Sequence, residues 1–270
     1  MWLTIEHTTR LTYDAPIAEA YSELRLKPIH DDGQRCSAFT ITTEPRNLPI
    51  SEYGDRFGNV VHHFDILEPH DKLVLSVRSE VWTPSIFLDT TPVSEVDRWD
   101  FLHPSRAVPL DGAIEALASS VTPAATPGET ATQLLTCVRD AMTYEVGSTH
   151  VHTRADEALA DGRGVCQDFA HVLIGLCRVH AIPARYVSGY LYDPARDGEH
   201  EASHAWVDVL DPERGWVSLD PTHDREQTDH YVRIGVGRDY GDVPPTRGLY
   251  KGPGVETLEV SVHISEPGQG

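Results

Sequence analysis

The chain has 270 residues, with 42 acidic side chains against 22 basic ones and a formal charge of −20. A chain of this order buries about three-quarters of the surface its unfolded form exposes, so it can form two domains without disulfide or metal support. The acidic excess excludes a nucleic-acid partner, which would need a surplus of lysine and arginine; a solvated acidic surface accounts for it, and nothing about substrate follows.

No apolar run approaches the ~18 residues of a membrane span. The start, Met1-Trp-Leu-Thr-Ile-Glu-His7, has neither a basic n-region nor an apolar h-region, so a cytoplasmic protein without a membrane partner is expected. Four cysteines, at 36, 137, 166 and 177, have no C-x-x-C spacing and are expected to be reduced.

The first third of the chain alternates in short runs. From Lys72 to Trp82, Leu73, Leu75, Val77 and Val81 fall on one face and Lys72, Ser76, Arg78 and Glu80 on the other, with Val74 as the exception. Such strands, separated by turn signals, predict a β-sandwich-like N-terminal domain over residues 1–85. Pro84, Pro92, Pro104 and Pro109 then thin out regular structure, which makes 86–110 a connecting segment before a second domain over 111–270. Thr126-Pro-Gly-Glu129 is a capping box with proline at the first helical position. Leu134, Leu135, Val138 and Met142 continue an apolar helix face behind it.

Gly162 and Gly164 punctuate the chain just before Cys166. Beyond it Phe169, Val172, Leu173 and Leu176 recur at helical spacing, so Cys166 opens a helix. There the unpaired N–H groups and the positive end of the macrodipole favour a thiolate, and one N–H can face a developing oxyanion. Cys177 lies eleven residues on, about 16 Å along the helix, and reads as core, as do Cys36 and Cys137.

His204-Ala-Trp-Val-Asp-Val209 alternates, Asp211-Pro-Glu-Arg-Gly215 carries turn residues, and Trp216-Val-Ser-Leu-Asp220 alternates again, which predicts an antiparallel hairpin. A turn centred on Glu213 puts Trp206 opposite Asp220 and brings His204 and Asp220 diagonally together on one face. A one-residue slip would destroy that geometry. The roles follow: His204 takes the Cys166 proton, and Asp220 fixes the imidazole tautomer and stabilises its charge. Gln167 is a candidate for orienting an acyl oxygen, Tyr144 for a second oxyanion donor, and Trp206 for a wall of the cleft. Each also has a structural reading, as a first-turn cap or a core aromatic. His171, His180, His200 and His223 are read as structural or solvent-exposed.

The blocks GVCQDFAH, IPARYVSGYL, SHAWVDVL and GWVSLDPTH resemble the bacterial transglutaminase-like family, over roughly residues 130–225. Leu24-Arg-Leu-Lys-Pro28 and Asp55-Arg-Phe-Gly-Asn59 look like the β-rich domain that precedes this core in bacteria, and Val236–Pro245 like the family's C-terminal strands. The resemblance implies an α+β protein with a papain-like core, in which Cys166, His204 and Asp220 act as a triad. It also implies acyl transfer or hydrolysis at a protein or peptide amide, with water or a primary amine resolving a thioester.

Two other classes compete. Cys166, His171, His200 and His204 fit no tight zinc spacing, and Asp193–Gly198 lacks the oxygen ligands of a calcium loop, so no metal or cofactor is expected. A non-catalytic interaction module on the same fold is the remaining alternative. The oligomeric state has no sequence signal.

Overall fold

The computed structural model describes residues 1–45, 48–87, 89–110, 112–196, 199–200 and 203–267. Strand β1 (Trp2–Ile17) buries Leu3, Ile5, Leu11 and Tyr13, as a two-residue period requires of a sheet covered on one face. After it come β2 (Glu19–Leu24), β3 (Arg35–Glu44), β4 (Ser51–Gly54), β5 (Val60–Ile66) and β6 (His70–Trp82). In β6 the buried residues are Leu73, Leu75, Val77, Ser79 and Val81, the face its alternation predicts.

The helical part comprises α1 (Glu95–Leu102), α2 (Gly112–Ser119), α3 (Pro127–Ala141), α4 (Ala155–Asp161) and α5 (Cys166–Val179). The short parallel pair β7 (Thr143–Tyr144) and β8 (Arg163–Gly164) brackets α4. Then come β9 (Ala184–Leu191), β10 (Glu199–His200), β11 (His204–Asp211), β12 (Gly215–Asp220), β13 (Arg225–Glu226), β14 (Tyr231–Gly237), β15 (Thr246–Lys251) and β16 (Glu256–Ser265). Helix α3 begins with the capping box that Thr126 and Glu129 encode. Among the described residues no helix is long and apolar enough to cross a membrane.

An antiparallel sheet in the order β13-β12-β11-β9-β14 carries α5 on one face. Ala184, Tyr186, Ala205, Val207, Val209, Val217 and Leu219 of that face join the helices in one apolar core. Every residue of α5 from Gln167 to Arg178 is buried, which makes it a central helix without a solvent stripe. The fold is therefore α+β, with a cysteine-bearing helix packed on an antiparallel sheet.

The expected division of the chain differs from the structure in two places. The sequence predicts a connection over residues 86–110, yet α1 lies inside them, capped by Ser94, whose hydroxyl accepts from the Asp97 N–H. Arg178 of α5 fastens this segment by donating to the carbonyls of Phe101 and His103, as well as to those of Ala184 and Arg238. Second, the segment 111–270 does not stay with the helices. β16 pairs with β1 from Thr4↔Ser265 to Tyr13↔Glu256, and β15 pairs with β2, so the chain's end returns to the N-terminal sheets. Those sheets run β10-β16-β1-β6-β3 and β15-β2-β5-β4, and they share a core. The physical reason is that β1 would otherwise present ten or so unpaired backbone positions along one edge.

The outer edge of β14 is closed by side chains instead of a strand. Gln34 accepts from the Arg233 N–H and donates to its carbonyl; Asn59 does the same for Val236. Each amide imitates a peptide group of a neighbouring strand. Asn59→Ala is expected to lower unfolding free energy by about 2 kcal/mol, because it strands two buried backbone groups. Urea denaturation of the two proteins measures this.

Candidate active site

Cys166 is the first residue of α5, and Val165 before it is extended. The turn that delivers it depends on a glycine. A Cβ on Gly164 would stand 2.6 Å from the Asp168 Cβ. That absence of a side chain lets Asp168 fold back and accept from the Val165 N–H at 2.8 Å, closing the first turn. Thr149 donates to the same carboxylate at 2.6 Å, so the loop between β7 and α4 is strapped to the start of α5. Burial pushes the Asp168 carboxyl above its usual range, against the pull of these donors.

Strands β11 and β12 pair as Val207↔Leu219 through Asp211↔Gly215, the register that a turn centred on Glu213 dictates. His204 Nε2 lies 2.8 Å from Asp220 Oδ2. The imidazole side chain is 12% exposed and the carboxylate 1%. An ionised carboxylate only accepts, so Nε2 carries the proton. Cys166 is close enough to the ring to interact with it electrostatically. Burial alone would depress the His204 imidazole, but the Asp220 charge and hydrogen bond, together with Cys166, outweigh it and push it up to about 10. The imidazole thus interacts with both the thiol and the carboxylate, and their combined effect favours its cationic form.

Asp220 has more partners than the hairpin predicts. Its Oδ2 also accepts from the Tyr231 hydroxyl at 2.6 Å and from His223 Nδ1 at 2.9 Å, while Oδ1 accepts from the N–H groups of Thr222 and His223. Burial would raise this carboxyl, yet His204, His223 and Tyr231 hold it far below the usual range. His223 is exposed, as its sequence reading expects, and it also bonds the carboxylate, a contact that its place three residues on in Asp-Pro-Thr-His could have flagged. Tyr231 left no local signal, being brought in by a distant strand.

The remaining candidates are placed as follows. Trp206 is fully buried, edge-on to Tyr231 and stacked beside His204, so it backs the imidazole and does not wall a cleft. Gln167 is buried and its Nε2 donates to the Val151 carbonyl, so one of its two N–H groups is spent on the strap. Tyr144 is 48% exposed and sits across the β7–β8 pair from Gly164, two residues before Cys166. His171 is fully buried, accepts from the Tyr240 N–H through Nε2, and is pushed down to about 4 by burial. The side chain of His200, and Asp197 and Gly198 of the calcium-like stretch, lie outside the described residues. Ligand atoms of His204, Asp220 and His223 cluster within 4.8 Å. Their spacings of 2.8 and 2.9 Å are those of hydrogen bonds, shorter than ligands around a central cation would keep. Cys36, Cys137, Cys166 and Cys177 are all free thiols, and burial pushes Cys177 up to about 12.

The protonated His204 is more stable folded than unfolded. Its contribution is complete below pH 6.5, the unfolded value, and is lost as pH rises through about 10. The stability difference between the wild type and His204→Asn is therefore expected to shrink across that window, as denaturation at several pH values would show. Asp208, behind the site, is held down to about 2 from 3.8: burial alone would raise it, but Arg233 and Arg185 prevail. Its share of stability is present above pH 3.8 and is expected to vanish as pH falls through about 2.

Residues 115–221 match the transglutaminase-like superfamily, and residues 3–82 match the bacterial transglutaminase-like N-terminal region. An uncharacterized protein of Mycobacterium leprae is 34% identical over 98% of this chain and 99% of its own length. One from Mycobacterium tuberculosis is 31% identical over 96% and 91%. A crystal structure of a candidate cysteine protease from Cytophaga hutchinsonii superposes with a TM-score of 0.78 at 20% identity, covering 98% of this chain and 92% of that one, a likeness of fold. On the matches to both of its regions, the chain belongs to the transglutaminase-like superfamily, with the bacterial transglutaminase-like N-terminal region joined to the core.

Proposed function

We propose that the protein is a cysteine-dependent acyltransferase or hydrolase acting on a carboxamide or peptide bond of a protein or peptide. The transglutaminase-like fold supports cysteine-dependent catalysis in general. The observation that carries the finer reading is that Cys166, at the N-terminus of α5, interacts with a His204 that is itself tied to Asp220 at 2.8 Å. In this reading the Cys166 thiolate attacks the carbonyl carbon and a C–S bond forms. The oxyanion faces the Cys166 N–H, which as a first-turn group has no partner within the helix. Tyr144, opposite Gly164, is the second donor of this proposal. His204 then protonates the departing amine, the C–N bond breaks, and a thioester remains. Water or a primary amine gives its proton to His204 and displaces the thiolate. Asp220 keeps the imidazole in the tautomer that both transfers need. The reading takes the compartment to be the cytoplasm.

Glutamine-containing peptides, incubated with and without a primary amine and followed by mass and by ammonia release, separate cross-linking, deamidation and proteolysis. Cys166→Ala and His204→Ala are expected to abolish turnover, and Asp220→Asn to lower kcat at least about a hundredfold. Full activity in Cys166→Ser would refute the scheme. Iodoacetamide needs no substrate: at pH 6, Cys166 is expected to alkylate at least about tenfold faster in the wild type than in His204→Ala. Equal rates would favour a non-catalytic interaction module on this fold.

A further inference from the structure

The turn after β12 does more than end the strand. Thr222 and His223 donate their N–H groups to Asp220 Oδ1 at 2.8 and 3.3 Å, which curls Pro221–His223 back over the carboxylate. The curl delivers the His223 ring to the other oxygen, with Nδ1 at 2.9 Å from Oδ2, the same atom that receives His204 Nε2 and the Tyr231 hydroxyl. The two imidazoles meet edge to face, 5.2 Å between centroids at 69°. The His223 side chain is 41% exposed, against 12% for His204 and 1% for Asp220. It is thus the member of this cluster that stands between the carboxylate and water.

That placement has a chemical consequence. An ionised carboxylate is free to turn about its Cα-side bond unless donors fix its plane, and water reaching Oδ2 would compete for the lone pair that His204 uses. His223 Nδ1–H removes both possibilities from the solvent side. Tyr231 does so from the buried side, its own hydroxyl held by Arg225 Nε at 2.9 Å. Among the described residues, Asp220 on β12 and His204 on β11 meet the His223 ring directly, while Tyr231 on β14 and, behind it, Arg225 on β13 complete the set around the carboxylate.

We infer that His223 is a positioning residue for the acyl transfer proposed above: its Nδ1–H fixes the Asp220 carboxylate in the orientation that aims the His204 ring. It acts through Asp220 and touches neither thiol nor substrate. Asn is the conservative replacement, because its amide N–H stands where Nδ1–H stood; Leu keeps the cover but not the donor.

The inference rests on the acyl-transfer reading, and two assays keep the failures of each apart. In peptide turnover, His223→Ala and His223→Leu are expected to lower kcat roughly tenfold with KM nearly unchanged, while His223→Asn recovers most of the loss. In iodoacetamide labelling at pH 6, the same two variants are expected to slow Cys166 by a similar factor relative to wild type and Asn. If no peptide is turned over by the wild type, the acyl-transfer reading fails in that assay, and the labelling series still decides the role of His223. Wild-type labelling and kcat in His223→Leu, or equal loss in Leu and Asn, would overturn the inference. Should His223→Ala not fold, judged by near-UV circular dichroism, the Leu and Asn pair carries the comparison alone.

Discussion

A single buried carboxylate holds the site together. Asp220 is 1% exposed yet ionised, and burial of that charge is tolerated because five donors converge on its two oxygens. The donors come from β11, from the turn after β12 and from β14. Removing any one leaves the charge less well compensated and the others less well aimed. The same charge sets the state of the imidazole, because the carboxylate, with Cys166, outweighs the burial that would otherwise discharge His204. Electrostatics and geometry are thus one constraint here, in that the hairpin that fixes distances also fixes protonation.

That constraint could form only if the sheet curls. β14 lies three places from β12 in the order β13-β12-β11-β9-β14, too far in a flat sheet for Tyr231 to reach Asp220. Gly189 on β9 is where the curl is possible. A Cβ there would stand 2.1 Å from the Val232 carbonyl oxygen and 2.4 Å from the Trp206 ring, so strand and indole close over a position without a side chain. A bulge in β14 between Arg233 and Gly235 adds to the bend. Trp206 fills the resulting hollow against Tyr231, which is why it is buried and unavailable to a substrate.

What could be read from the sequence was what local chemistry encodes. The hairpin register followed from the turn residues between Asp211 and Gly215, and with it the meeting of His204 and Asp220. The helix from Cys166 followed from apolar spacing and from Gly162 and Gly164. Spacing assigns a face but not what covers it, so the burial of Trp206 and the bond from Gln167 to Val151 could not be read. Pairings between distant segments were also silent, among them Tyr231 with Asp220 and β16 with β1. Helix α1 is a different case. Ser94 and Asp97 form a legible cap, but the prolines on either side of it masked a helix of eight residues.

The N-terminal sheets have a mechanical link to the chemistry. Asp55-Arg-Phe-Gly-Asn59 forms a tight loop, in which Asp55 accepts from the N–H groups of Phe57 and Asn59 and Gly58 takes a positive φ of 82°. Its product is an Asn59 amide aimed at Val236, while Gln34 holds Arg233. Arg233 in turn engages Asp208 and donates to Ser218 and Gln227, so the far face of the sheet is locked by a buried ionic network. Both amides therefore fix the edge strand that begins at Tyr231. Tyr231, the first residue of that strand, is the one whose hydroxyl reaches Asp220, so the first sixty residues hold the strand that carries one of the carboxylate's donors.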